Sequence, residues 1–209
     1  MVGSQAQPDH QSDIQDFIAW VDKKRCLGRR GPRLSIDCPF LPYTELEAYL
    51  DDRGIGKLLI ALFPDDHLDK KEIDHIRRRY SKVFSILLLI GKGLFIKRFI
   101  KFSSLSDSRL PFESWPANFP KATNDALFFN SFQAEQWMFC AQIFEHSIDS
   151  RFADDLILPI IEKSELGHGG SAFVYKVVLH EAYNILNPKK TSESVILSLL
   201  PVLSAFSSL

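Results

Sequence analysis

The chain has 209 residues, enough for one or two domains. Apolar residues make up 45% and charged residues 24%, an ordinary globular balance, and 17 phenylalanines supply a generous core. A formal net charge of -1 argues against a general nucleic-acid binder, which would be strongly basic.

The three cysteines, Cys26, Cys38 and Cys140, are scattered and form no CxxC pair, a pattern of reduced thiols in a cytoplasmic setting, with the nucleus as the alternative. The N-terminus from Gly3 to Asp16 is polar and lacks the apolar stretch of a secretory signal. Residues 1–35 read as a flexible arm. Within it Ile14 to Val21 could form a short helix after Ser12, and Lys23-Lys24-Arg25 with Arg29-Arg30-Gly31-Pro32-Arg33 make a basic, glycine-broken run. A solvated arm is preferred there over a localisation or anion-binding patch.

Residues 36–150 read as a mostly helical extension. Thr44 and Glu47 have capping-box spacing, so a helix should run to about Asp51 and break at Gly54 and Gly56. Leu58 to Phe63 is a brief apolar run, and Pro64 to His67 a turn. Asp65, Asp66, His67 and His75 offer no credible metal geometry and read as an acidic helix start. From Asp69 to Ile90, Ile73, Ile76, Tyr80, Val83, Phe84 and Leu87 recur near helical spacing, with Arg77-Arg78-Arg79 mostly on the other face. The apolar run Val83 to Ile90 is far short of the ~20 residues a membrane span needs, so it reads as a buried helix.

Leu94 to Phe102 suggests another short helix, and Ser103 to Pro120 a proline-bearing connector laid across a surface. Phe128, Phe129, Phe132, Trp137, Phe139 and Phe144 form an aromatic stripe that reads as core, with a helix near Ser131 to Trp137. Residues 189–209 form an apolar tail. Its end from Val195 is uncharged and contains Pro201, and it reads as packing on the body rather than anchoring in a membrane. His180-Glu181 lacks the second histidine of a zinc helix, since Asn184 stands four residues on.

Residues 151–188 carry the most informative stretch, Leu166-Gly167-His168-Gly169-Gly170-Ser171-Ala172-Phe173-Val174-Tyr175-Lys176. Glycines stand at the first and third places, a small residue at the sixth and a valine at the eighth. A loop lying on phosphates must bring its backbone N–H groups close to the anion, and glycine removes the β-carbon that would prevent this. The flanks, Leu156 to Ile161 and Phe173 to Leu179, are β-branched and aromatic, so the loop should join two strands rather than open a helix. No Gly-Lys-Ser/Thr follows, which excludes a Walker A loop.

Phe152 to Asn187, with Leu158-Pro159-Ile160 before the loop and Leu179 to Asn184 after it, resembles a group of filamentous-fungal protein-kinase-domain proteins. Ser106 to Phe112 and Gln136-Trp137-Met138-Phe139 are similar to landmarks upstream in that group, so the resemblance covers roughly residues 40 to 188. Ala172 departs from the usual last glycine. The resemblance implies an α+β chain whose helical N-terminal region leads into the first strands of a kinase N-lobe. It implies nucleotide contacts from Leu166, Gly167, His168, Gly169, Gly170, Ser171, Ala172 and Val174, with ATP and magnesium as ligand.

Phosphoryl transfer also needs a strand lysine, a catalytic-loop aspartate and an Asp-Phe-Gly metal ligand. The sequence has no His-Arg-Asp and no Asp-Phe-Gly. Where Val-Ala-Ile-Lys would fall, the nearest match is Val195-Ile196-Leu197-Ser198, which reads as accidental, and serine cannot carry the charge. The expectation is therefore a fragment or shortened relative of a kinase-like protein, inactive by itself. The alternative is a non-enzymatic helical interaction module that binds a protein partner, with a vestigial hairpin. Neither reading calls for nucleic acid or a membrane.

Overall fold

The computed structural model describes residues 10–66, 68–121, 125–144, 155–169, 172–185 and 194–199. Its class is α+β. Among the described residues seven α-helices accompany two small antiparallel sheets, of two and three strands. Two compact units share the chain. Unit 1 joins Met1–Arg25 to Tyr43–Phe139, and unit 2 joins Cys26–Pro42 to Cys140–Leu209.

Unit 1 holds all seven helices: α1 (His10–Lys24), α2 (Tyr43–Tyr49), α3 (Asp52–Leu62), α4 (Lys70–Arg79), α5 (Ser81–Leu89), α6 (Ile96–Phe99) and α7 (Asp125–Gln136). The segment read as a flexible arm is folded from His10 onward. Phe17 and Val21, one helical turn apart, are both buried in α1. Trp20 lies against Tyr49 of α2 at a ring separation of 4.2 Å, and Lys24 pairs with Glu45 at 3.0 Å. Of the basic residues that suggest a solvated arm, Lys23 and Lys24 occupy the last turn of α1, where they suit the helix dipole.

Gly54 and Gly56 do not break the chain but lie inside α3, whose start is capped by the Asp51 carboxylate accepting from the Arg53 and Gly54 N–H groups. A β-carbon at Gly54 would lie 1.8 Å from the Tyr49 carbonyl oxygen, so glycine permits the tight passage from α2 into α3. The capping box falls at Asp69 and Glu72, at the head of α4.

The long periodic segment is two helices rather than one, and the break is Tyr80, with φ -139° and ψ 19°. Tyr80 ends α4 and starts α5 without offering a side-chain acceptor to the α5 N-terminus. Asp107 supplies it from a distant turn. Its carboxylate accepts from the Val83 N–H at 2.9 Å, the Lys82 N–H at 3.0 Å and the Ser81 hydroxyl at 3.1 Å. Burial pushes the Asp107 pKa above its usual 3.8, while the three donors oppose that rise.

A raised folded pKa favours the protonated form on folding. This contribution to stability is full below 3.8 and is lost as pH climbs through the raised value. Asp107→Asn should flatten the pH dependence of the urea midpoint in that window. Asp107→Ala, which strands the three donors, should lower stability by about 1–3 kcal/mol at neutral pH.

The remaining helical expectations hold in outline. Leu94 to Phe102 contains only the four-residue α6 flanked by 3-10 turns, and the helix expected near Ser131 to Trp137 begins earlier, at Asp125. The aromatic stripe is largely core: Phe128, Phe129, Phe132 and Phe139 are buried in unit 1 and Phe144 in unit 2, while Trp137 is half-buried, and Phe99, Phe112 and Phe119 are buried in unit 1 as well.

Unit 2 carries β1 (Cys26–Arg30), β2 (Ile36–Phe40), β3 (Ile160–Gly169), β4 (Ala172–Leu179) and β5 (Ser194–Leu199). β1 and β2 pair antiparallel with Gly28 opposite Cys38, and the second sheet has the order β3-β4-β5, antiparallel throughout. Arg29 and Leu158 exchange both backbone hydrogen bonds, at 2.9 and 2.8 Å, which ties β1 to the run entering β3. A β-carbon at Gly28 would meet the Leu158 carbonyl oxygen at 2.6 Å, so this approach requires glycine. Leu34, Phe144, Leu158, Ile160, Tyr175, Val177 and Leu179 form the core of the unit. The Tyr183 hydroxyl, donating to the Leu41 carbonyl at 3.0 Å, fixes the chain after β4 to the end of β2.

β5 lies within the predicted apolar tail and pairs along β4 from Phe173↔Leu199 to Val178↔Ser194. Val195 to Ser198 is therefore a strand of the hairpin's own sheet. Residues 200–209, which bear the packing and anchoring readings, lie outside the described residues. Among the described residues no helix is long and apolar enough to cross a membrane.

Candidate functional site

The glycine stretch lies at the far end of the β3–β4 hairpin, and Leu166 to Gly169 are themselves part of β3 rather than a loop between the expected arms Leu156 to Ile161 and Phe173 to Leu179. β3 supplies Leu166, Gly167, His168 and Gly169, and β4 supplies Ala172 and Val174. Gly170 and Ser171 lie outside the described residues. The pairing runs Gly169↔Ala172, His168↔Phe173 and Gly167↔Val174, then shifts between Gly167 and Glu165. That shift is a bulge that leaves Leu166 without a register partner, and Leu166 is 56% exposed.

Alternation along β4 sorts the hairpin into two faces. Tyr175, Val177 and Leu179 are buried in the core, so Val174, Lys176 and Val178 belong to the opposite face. Register brings Gly167 to this face beside Val174, and Ile196 of β5 opposite Lys176. Ile196 is 67% exposed, Lys176 is exposed and Val174 is half-buried. The outer face is thus an apolar surface with glycines at one end and an ammonium group along it. Ser198 is the register partner of Val174.

Gly167 and Gly169 are exposed and do not have the left-handed backbone that favours glycine, which occurs at Gly31 and Gly91. A β-carbon at either would meet nothing within 4 Å. Neither conformation nor internal packing therefore demands glycine at these positions. His168 turns its Nδ1 to the Glu165 carboxylate at 3.0 Å, and its ring lies 6.0 Å from that of Phe173.

Three features of this region escape a reading by sequence. The first is β5, since Val195-Ile196-Leu197 has strand composition but nothing in the sequence names β4 as its partner. The second is the basic run. Arg29 pairs with Asp37, Arg30 with Asp155 at 3.5 Å, and the Arg33 guanidinium lies 4.2 Å from the Phe173 ring centre, so carboxylates and an aromatic ring engage these cations. The third is Lys163 of β3, whose ammonium reaches back to the turn between β1 and β2. Apart from Arg29 and Asp37, these partners lie more than a hundred positions apart and leave no local signal.

Comparison of the chain with models of protein families, with curated proteins and with solved structures finds no match in any of the three. Among the described residues no group of three or more His, Cys, Asp or Glu side chains gathers to hold a metal ion.

Proposed function

We propose that the β3–β4 hairpin is a nucleotide-covering loop of kinase type, on a chain that does not transfer phosphate by itself. The observation that carries this reading is the pair Gly167 and Gly169. Both are exposed, both have open space where a β-carbon would point, and neither has a left-handed backbone. The absence of side chains there is useful only to something approaching from outside, such as an anionic phosphate meeting backbone N–H groups. Val174, Leu166 and Ile196 would offer apolar contact to a base. Magnesium would arrive on the phosphates of ATP rather than on side chains of this chain.

The given sequence has no His-Arg-Asp and no Asp-Phe-Gly, which supports a binding role without catalysis. With one wall of a cleft, affinity should be millimolar or weaker, since few contacts offset the freedom lost on binding.

Gly169→Val is the decisive variant, because the open space at this position leaves the fold free to accept the side chain. Saturable binding of Mg·ATP in a calorimetric titration of the full chain, lost in Gly169→Val, is the expected result. No saturable binding by the parent chain overturns the reading. It would leave the second reading, a non-enzymatic helical module.

A further inference from the structure

The turn between β1 and β2 is bent against the preference of its residues. Arg33 and Leu34 have φ of 57° and 53°, the left-handed region that a side chain with a β-carbon seldom adopts. Such strain persists only where the surroundings impose it. Two sets of contacts impose it here. Leu34 is 4% exposed within the core of unit 2, and its N–H donates to the Gly31 carbonyl at 3.0 Å. Lys163 Nζ donates to the Arg33 carbonyl at 2.9 Å and to the Leu34 carbonyl at 3.0 Å, serving both left-handed residues at once. The same ammonium lies 4.7 Å from the centre of the Tyr175 ring.

Each contact depends on the amine carrying several N–H groups, and the ring contact depends on its charge. We propose that Lys163 is a charge latch holding Arg33 and Leu34 in left-handed backbone, and that acylation of Nζ opens it. The acyl donor is an activated ester or thioester. The neutral amine attacks the acyl carbon, a C–N bond forms, the C–O or C–S bond breaks with its electron pair leaving on oxygen or sulfur, and the amine proton passes to solvent. The amide that results has one N–H and no charge. It can serve only one of the two carbonyls and no longer attracts the Tyr175 ring. Lys163 is half-buried, so a small acyl donor can reach it, and burial together with the neighbouring Arg29 lowers its pKa, which raises the neutral fraction. Once released, Arg33 and Leu34 relax toward right-handed backbone and Leu34 leaves the core.

The test uses the full chain and N-acetoxysuccinimide as acyl donor, with acetylated sites located by mass spectrometry and hydrogen exchange followed at the Leu34 amide. Exchange there should rise about tenfold on Lys163 acetylation and in Lys163→Gln, while amides along β3 and β4 keep their protection. Adding Arg33→Gly to Lys163→Gln should restore part of the protection, because glycine holds a positive φ unaided. Unchanged Leu34 exchange in Lys163→Gln overturns the latch. Protection lost equally throughout β3 and β4 also overturns it, by making Lys163 a general support. Lys163 left unmodified while other lysines react overturns the acylation step.

Discussion

Phe132→Ala should destabilise unit 1 by about 3–5 kcal/mol, the range for removing a fully buried aromatic ring. Phe132 is 0% exposed. Its ring is stacked on Phe99 at 5.7 Å and on Phe112 at 5.6 Å, and it meets Phe119 edge-on at 5.6 Å. These partners come from three separate stretches of chain, so the cavity left by alanine borders α6, α7 and the connector together. Stacked and edge-on rings add roughly 0.5–1.5 kcal/mol per pair beyond their buried area. The measurement is a urea titration followed by tryptophan fluorescence, which reports unit 1 alone because Trp20, Trp115 and Trp137 all belong to it. A loss below about 1 kcal/mol would mean that the neighbouring rings close over the gap.

Gln136→Leu should cost about 2–5 kcal/mol for a different reason. The Gln136 side chain is also 0% exposed, and it acts as a backbone surrogate. Its Oε1 accepts from the Phe112 N–H at 2.7 Å and its Nε2 donates to the Phe112 carbonyl at 3.1 Å. Leucine fills similar space but strands both groups in the interior, at roughly 1–3 kcal/mol each. Gln136→Glu separates the two bonds, since a carboxylate can accept from the N–H but cannot donate to the carbonyl. Buried against that carbonyl, the charge should cost at least as much as Gln136→Leu at neutral pH, and part of the loss should return at low pH, where the protonated acid can donate.

These two residues also show what was legible in the sequence. Phe132 belongs to an aromatic stripe at helical spacing, and its burial follows from that pattern. Gln136 and Asp107 belong to the stretches singled out upstream by resemblance, yet nothing local reveals their roles. Gln136 closes a polar pair with a backbone 24 positions away, and Asp107 caps a helix that begins 26 positions before it. Hydrophobic periodicity records which face is buried but not which polar group must answer another. The same limit explains α1. Its apolar spacing was visible at Phe17 and Val21, but the basic run that follows suggested solvent.

At the hairpin, glycine spacing between extended arms was enough to anticipate the pairing of β3 with β4, but not that Leu166 to Gly169 belong to β3 itself. It did not extend to β5, because strand pairing asks only for backbone and a suitable side-chain pattern, and neither names the partner strand. The left-handed backbone at Arg33 and Leu34 was equally hidden. Neither residue type favours it, and the Lys163 contact that accompanies it comes from 129 positions beyond Leu34.

The interleaving of the two units bears on how the chain acquires its structure during synthesis. β1 and β2 leave the ribosome before most of unit 1, yet the residues that complete their surroundings emerge only after it. A short two-stranded hairpin is at best marginally stable in water, so it gains durable order only when Leu158 and Tyr183 become available. The helices of unit 1 can meanwhile form from nearer neighbours. Unit 2 should therefore mature last, and an interruption of translation near residue 150 would leave its opening strands without their permanent companions.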